Sequence, residues 1–189
     1  MSIKAKIKET LLKMEGENRF LNRFAMKLLL MRKIGFPLYF TNFLFQRILR
    51  NQSEINFSVH FTSKVSHIEN IKIHYDLITL TSFAVSGNCY IQAYNGLICG
   101  KNFLFAPGVK IITSGHDFKD INKPTKNDPV VIGDNVWIGA NVVILPGIKI
   151  GNNCVIGAGA IVTKSFEDDG LILAGNPAKI IGKRDDLNV

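Results

Sequence analysis

From Ile132 to Val162 an aliphatic residue returns at every sixth position, at Ile132, Ile138, Ile144, Ile150, Ile156 and Val162, and most are followed directly by Gly. A helix brings apolar residues back after three and four positions and a half-buried strand after two, so a sustained six fits neither template. A step of six holds one short strand and one turn, which lets the chain wind into a prism whose coils join through parallel strands. The first position of each hexad then points inward. The fifth (Val136, Val142, Ile148, Cys154, Ala160) supplies a second inward side chain. Gly133-Asp134-Asn135, Gly139-Ala140-Asn141 and Gly151-Asn152-Asn153 fall at the corners, where Gly and Asn accept positive φ with least strain.

Upstream the pattern changes. Residues from Ile3 to about Met14 and from Arg19 to about Arg32 carry helical periodicity, with Gly16 between them and Gly35-Phe36-Pro37 ending the second; a third helical piece is expected from Tyr39 to Leu49. A looser hexad starts at Ile55, with first positions Phe61, His67, Ile73, Thr79, Val85 and Ile91 and fifth positions Val59, Val65, Ile71, Leu77, Phe83 and Cys89. It slips by two residues at Tyr94-Asn95-Gly96-Leu97, which calls for a bulge or loop, and resumes at Cys99, Phe105 and Ile111. After Ile112 the rhythm stops. TSGHDFKDINKPTKNDPV reads as a loop extruded from the prism, held at little entropic cost by the rigid coils on either side. The expected organisation is a helical segment over 1–52, a β-helix over 53–182 with its loop at 113–130, and a tail over 183–189.

At 189 residues the chain is long enough to bury a real core. Its net charge of +8 is concentrated before Arg50 and attracts anions in general, but no nucleic-acid module or aromatic RNA-reading signature accompanies it. Cys89, Cys99 and Cys154 cannot all pair and sit at inward positions, so they read as small core residues. Lys and Glu punctuate the first twenty residues, against a secretory signal, and a cytoplasmic location is expected, without disulfides. The uncharged stretch Ile34 to Phe45, interrupted by Pro37, is far short of the ~20 apolar residues a spanning helix needs. FLNRFAMKLLLMRKIGFPLYFTNFLF interleaves cations with Phe and Leu, as an interfacial helix does; it either makes peripheral contact with the inner membrane face or packs on the first coils or a neighbouring subunit.

The repeat and the segment IITSGHDFKDINKP followed by PVVIGDNVWIGANVVILPG resemble the hexapeptide-repeat acyltransferases, in particular the maltose/galactoside and polysaccharide O-acetyltransferase branch. The resemblance implies a mainly β protein: a left-handed parallel β-helix of hexapeptide repeats with an α-helical N-terminal segment and an extruded loop. The left hand comes from the family, since parallel crossovers are otherwise almost always right-handed. It implies acetyl-CoA as co-substrate, a homotrimer with the coenzyme between adjacent β-helices, and His116 as the general base. An imidazole suits that role because its ordinary range near about 6.5 leaves it neutral at cell pH. The cofactor-binding residues implied are Trp137, Ala140, Ala158, Thr163, Lys164 and Lys179: corner amides for the thioester and pantetheine, lysines for phosphates.

The acceptor end matches less well. Tyr94 stands where an Asp is expected and Ser86 where an Asn is expected, which leaves Asn95, Asp117 and Lys119 as candidates for substrate binding. Asp117 could instead orient His116 or simply form a turn. The implied activity is transfer of acetyl to a saccharide hydroxyl, in surface polysaccharide biosynthesis, on a small-molecule or lipid-linked acceptor. N-acetylation of an amino sugar nucleotide is the alternative. No metal is expected: His60, His67 and His74 recur every seven residues and so fall at different corner positions of a six-residue repeat.

Overall fold

Short strands stack into three faces in the computed structural model, which describes residues 19–184. The expected helix from Ile3 to about Met14 lies outside the described residues, as does the chain beyond Arg184. The first face stacks Lys64–Ser66, Tyr90–Gln92, Lys110–Ile112, Val143–Ile144 and Ile161–Val162; the second stacks Ile71–Lys72, Leu97–Cys99, Val130–Ile132 and Lys149–Ile150. The third stacks Leu104–Phe105, Trp137–Ile138, Val155–Ile156 and Leu171–Ala174, all parallel, and is closed by Lys179–Lys183, which runs antiparallel to its neighbour. The chain visits the faces in turn, so each strand pairs with the one a full coil away: Ile138 lies beside Ile156, and Val162 beside Ile144. This is a parallel β-helix.

The hexad reading holds across the second half. Ile132, Ile138, Ile144, Ile150, Ile156 and Val162 are at most 3% exposed, and the five fifth-position side chains are buried with them. Each such aliphatic removed from water contributes about 1.5–3 kcal/mol. The fourth positions turn the corners: Asn135, Asn141, Gly147, Asn153 and Gly159 all adopt φ between 56° and 73°. The Asn side chains also join coil to coil. Asn102 Nδ2 donates to Asn135 Oδ1 at 2.8 Å and Asn135 Nδ2 to Asn153 Oδ1 at 3.2 Å, while Arg184 reaches the Asn135 and Asn153 carbonyls.

The looser register before Ile91 does not hold throughout. His67 is an exposed corner residue with φ 58°, Val85 is 40% exposed, and residues 77–85 form a helix. With helices labelled α1 (Arg19–Ile34), α2 (Phe36–Phe43) and α3 (Leu77–Val85), α3 takes the place of the strand that the third face would have in its first coil. Asp76 caps it, accepting from Thr79 N–H at 2.9 Å, a start signal that the hexad rhythm masks. The helix covers an open sheet edge with hydroxyls in place of a strand. Thr79 Oγ1 accepts from Phe103 N–H, Ser82 Oγ from Phe105 N–H, and Ser86 Oγ donates to the Phe105 carbonyl. A row of donors that would otherwise recruit another chain is thereby satisfied.

The amino-terminal helices use amides the same way. Gly35, at φ 85°, is a one-residue hinge between α1 and α2; Pro37 sits in the first turn of α2, where its missing N–H costs nothing, so the second break is shorter than the sequence suggests. A π-helical turn, Leu44–Ile48, follows. Asn42 and Gln46, four apart and buried, reach the extended segment before the first strand. Asn42 donates to the Ala84 carbonyl and Ser58 Oγ and accepts from Phe61 N–H; Gln46 donates to the Phe57 carbonyl and accepts from Val59 N–H.

All three cysteines are free and buried, and burial raises each thiol's pKa. Ellman's reagent is therefore expected to find no reactive thiol in the native protein and all three after denaturation; fast native labelling would contradict the packing. Asn42→Ala strands a buried N–H and a buried carbonyl, which costs about 2–3 kcal/mol. Urea unfolding should show that loss, while Thr41→Ala, one residue away and outward, shifts stability by less than about 0.5 kcal/mol.

Candidate active site

His116 stands on the loop that leaves the first face after Ile112 and enters the second at Val130. The loop folds back on itself. His116 and Pro124 form an antiparallel bridge, Asp117 N–H donates to the Lys123 carbonyl at 2.9 Å, and Thr125 N–H to the Gly115 carbonyl at 3.0 Å. The imidazole Nδ1 lies 2.6 Å from the Ile121 carbonyl oxygen. A carbonyl only accepts, so Nδ1 carries a proton, and in the neutral ring Nε2 is the nitrogen left to accept; the residue is exposed. A neutral imidazole in this tautomer is a ready proton acceptor at Nε2.

The partner of His116 is thus the main chain and not the neighbouring carboxylate. Asp117 Oδ1 accepts from Lys119 N–H at 2.7 Å and Asp120 N–H at 3.2 Å, so of the two structural roles open to it, Asp117 forms the turn. Asn95 binds the root of the loop: its Nδ2 donates to the carbonyls of Thr113 (2.7 Å) and Thr125 (2.9 Å), one on each limb. Two further residues escaped the sequence reading. Gln92 Oε1 accepts from Thr113 and Ser114 N–H, and Thr125 Oγ1 accepts from Gly115 N–H. The available signal was a pair of amides, Gln92 and Asn95, one coil before the loop at the end of an otherwise apolar strand.

The other candidates lie elsewhere on the prism. Ala140 and Ala158 occupy the corner between the third and first faces, one coil apart: Gly159 N–H donates to the Ala140 carbonyl, and a Cβ on Gly139 would come within 2.6 Å of Ala158 N. The Gly175-Asn176 turn continues that column. Thr163 and Lys164 sit at the corner between the first and second faces, the same corner as the His116 loop, with Lys164 Nζ 5.5 Å above the Phe166 ring. Trp137 points outward from the third face, 51% exposed, in register with Leu104 and Val155; Lys179 opens the antiparallel strand beside Ala174. Within one chain, then, the imidazole and the Ala140–Ala158 amides mark opposite ends of the first face's strands. Among the described residues no group of His, Cys, Asp and Glu is placed to hold a metal ion.

Comparison with known proteins bears on this geometry. The sequence pattern described as "Bacterial transferase hexapeptide (six repeats)" matches residues 129–164. The chain is 32% identical over 164 residues to the putative lipopolysaccharide biosynthesis O-acetyl transferase WbbJ of Escherichia coli strain K12, covering 80% of this chain and 79% of that one. To the galactoside O-acetyltransferase of the same strain it is 43% identical over 90 residues, 46% of this chain and 44% of that one. The chain spans about half the length of the first curated relatives it matches. Among solved structures, AntD, an N-acyltransferase from Bacillus cereus, is 17% identical with a TM-score of 0.51, over 72% of this chain and 88% of that one, a likeness of fold.

Asn95→Ala removes the two hydrogen bonds by which its side chain spans the limbs of the loop. Trypsin cleavage after Lys119 and Lys126 should accelerate at least about tenfold, by roughly the cost of two lost hydrogen bonds. An unchanged cleavage rate would show that the loop is held from elsewhere.

Proposed function

We propose, from a chain that belongs to the bacterial hexapeptide transferase family, that it transfers acetyl from acetyl-CoA to a hydroxyl of a saccharide with His116 as general base. One observation carries the reading: His116 has its Nδ1 proton tied to a backbone carbonyl and its Nε2 turned to solvent, on a loop sewn at both limbs to the coil beneath. Nε2 accepts the acceptor's hydroxyl proton as that oxygen attacks the acetyl carbonyl, and the imidazolium returns the proton to the departing thiol. The Ile121 carbonyl holds the Nδ1 proton and keeps the ring in one orientation through the two transfers. Proton uptake and release then balance within one turnover.

The donor set fits acetyl-CoA. The corner N–H groups of Ala140 and Ala158 suit the thioester oxygen and pantetheine amides, Trp137 offers an exposed apolar face, and Thr163, Lys164 and Lys179 are exposed polar or cationic groups for phosphates. The imidazole and the corner amides leave opposite ends of the first face, so a second copy is needed to bring one chain's loop to another's corner. A closed trimer does this three times by symmetry. The loop tip supports such a contact: Phe118 is fully exposed and Ile121 is 72% exposed, beside His116. We assign Asn95 and Asp117 to the acceptor side through the loop they shape, and surface polysaccharide biosynthesis, at the cytoplasmic side, as the setting.

His116→Ala is expected to lower acetyl transfer by about 10²–10⁴-fold while the protein folds and binds coenzyme A as before. Thiol release from acetyl-CoA, measured against sugars, nucleotide sugars, amino sugars and lipid-linked saccharides, checks the whole reading. Turnover retained by the variant would remove His116 from its role, and turnover with amines alone would make this an N-acetyltransferase.

A further inference from the structure

The helices at the amino-terminal end of the prism carry a surface that acetyl transfer does not use. α2 displays Phe36, Phe40 and Phe43 at positions i, i+4 and i+7, 63%, 48% and 47% exposed, with the Phe36 and Phe40 rings stacked at 5.8 Å. α1 adds Phe24 and Leu28, also exposed, and Ile48 and Leu49 continue the apolar surface beyond α2. These side chains leave the packing to others, such as Leu30 on α1, Asn42 on α2 and Gln46 in the turn after it. So much exposed aromatic and aliphatic surface on adjoining helices marks a docking face.

Charge selects the occupant. Arg23, Lys27, Arg32, Lys33, Arg47 and Arg50 are all exposed, and no Asp or Glu lies between Arg23 and Arg50. Behind the α2 stripe, Phe43 lines a cavity of about 140 Å³ together with Lys27, Leu30, Arg47, Phe57 and Leu80, and no carboxylate faces it. A second copy docked face to face would set six cations against six. Rings at headgroup depth with cations around them instead suit a surface that is apolar beneath and anionic above. Among the described residues no helix is long and apolar enough to cross a membrane, so contact is from one side.

We propose that the face formed by α1, α2 and the turn after them docks on an anionic lipid bilayer, with the Phe36–Phe40–Phe43 stripe seated among the headgroups and the cations of both helices on lipid phosphates. Docking by this face places the first coils of the prism next to the bilayer and the His116 loop a coil or two further out, within reach of an acceptor anchored in the same membrane.

Flotation of the full chain with vesicles tests this without any turnover, so its outcome is independent of the acetyl-transfer reading. The chain is expected to float with phosphatidylcholine vesicles containing one-third phosphatidylglycerol, to stay in solution with pure phosphatidylcholine, and to be released by high salt. Phe36→Ser/Phe40→Ser and, separately, Lys27→Glu/Lys33→Glu should each weaken partitioning by at least about tenfold, with circular dichroism unchanged. Both lysines are exposed, and their variant guards against misfolding of the aromatic one. Absence of flotation on the phosphatidylglycerol vesicles, equal binding to both vesicle types, or partitioning unaffected by either variant overturns the proposal. So does a drop in oligomeric state of the aromatic variant without vesicle binding, which would make the face a contact between copies.

Discussion

Everything in this molecule depends on one coil hydrogen-bonding to the next at the fixed spacing of parallel strands, just under about 5 Å. That spacing leaves room for one layer of side chains per coil, so the inward positions are aliphatic and the corners must turn within two or three residues. The left-handed backbone of Asn135, Asn141 and Asn153 and the close approach of Gly139 to Ala158 follow from it. A Cβ on Gly139 would collide with backbone, which no rotamer change relieves. The corner where coenzyme amides are assigned therefore has little freedom to vary at Gly139.

A stack of this kind has two ends, and each would expose unpaired strand edges. The chain treats them differently. At the first coil, α3 offers Thr79 and Ser82 hydroxyls to the N–H groups of Phe103 and Phe105, and the Asn42 and Gln46 amides do the same for the segment from Phe57 to Phe61. At the last, Lys179–Lys183 folds back antiparallel on Leu171–Ala174, with a lysine at each end and Ile180 and Ile181 exposed between them. Side chains that look unsuited to a core, a buried Asn and a buried Gln, are there because the ladder has run out of strands.

The second half of the fold was legible from six-residue periodicity because both inward positions and the αL corner recur without interruption. The first coil was not, because Thr79 and Phe83 satisfy a hexad template and a helix equally well, and only Asp76 capping Thr79 separates the two. Of the site, the loop and His116 were legible as a polar break in an apolar rhythm. Its hydrogen bonding was not: the oxygen that fixes the ring belongs to the backbone of Ile121, and main-chain groups carry no sequence signature. Nor could spacing along one chain show that the imidazole and the corner amides part company at opposite ends of a face.

The ties at the root of the loop have an evolutionary reading. Asn95, Gln92 and Thr125 hold Thr113 through Gly115 in place, while Phe118, Lys119 and Ile121 touch none of them. Substitutions of the Phe118, Lys119 and Ile121 side chains leave these ties in place, and with them the backbone carbonyl that meets His116. Under the proposed function, the prism thus carries a replaceable cassette for its acceptor, and descendants could switch acceptors by rewriting a handful of residues on an unchanged scaffold.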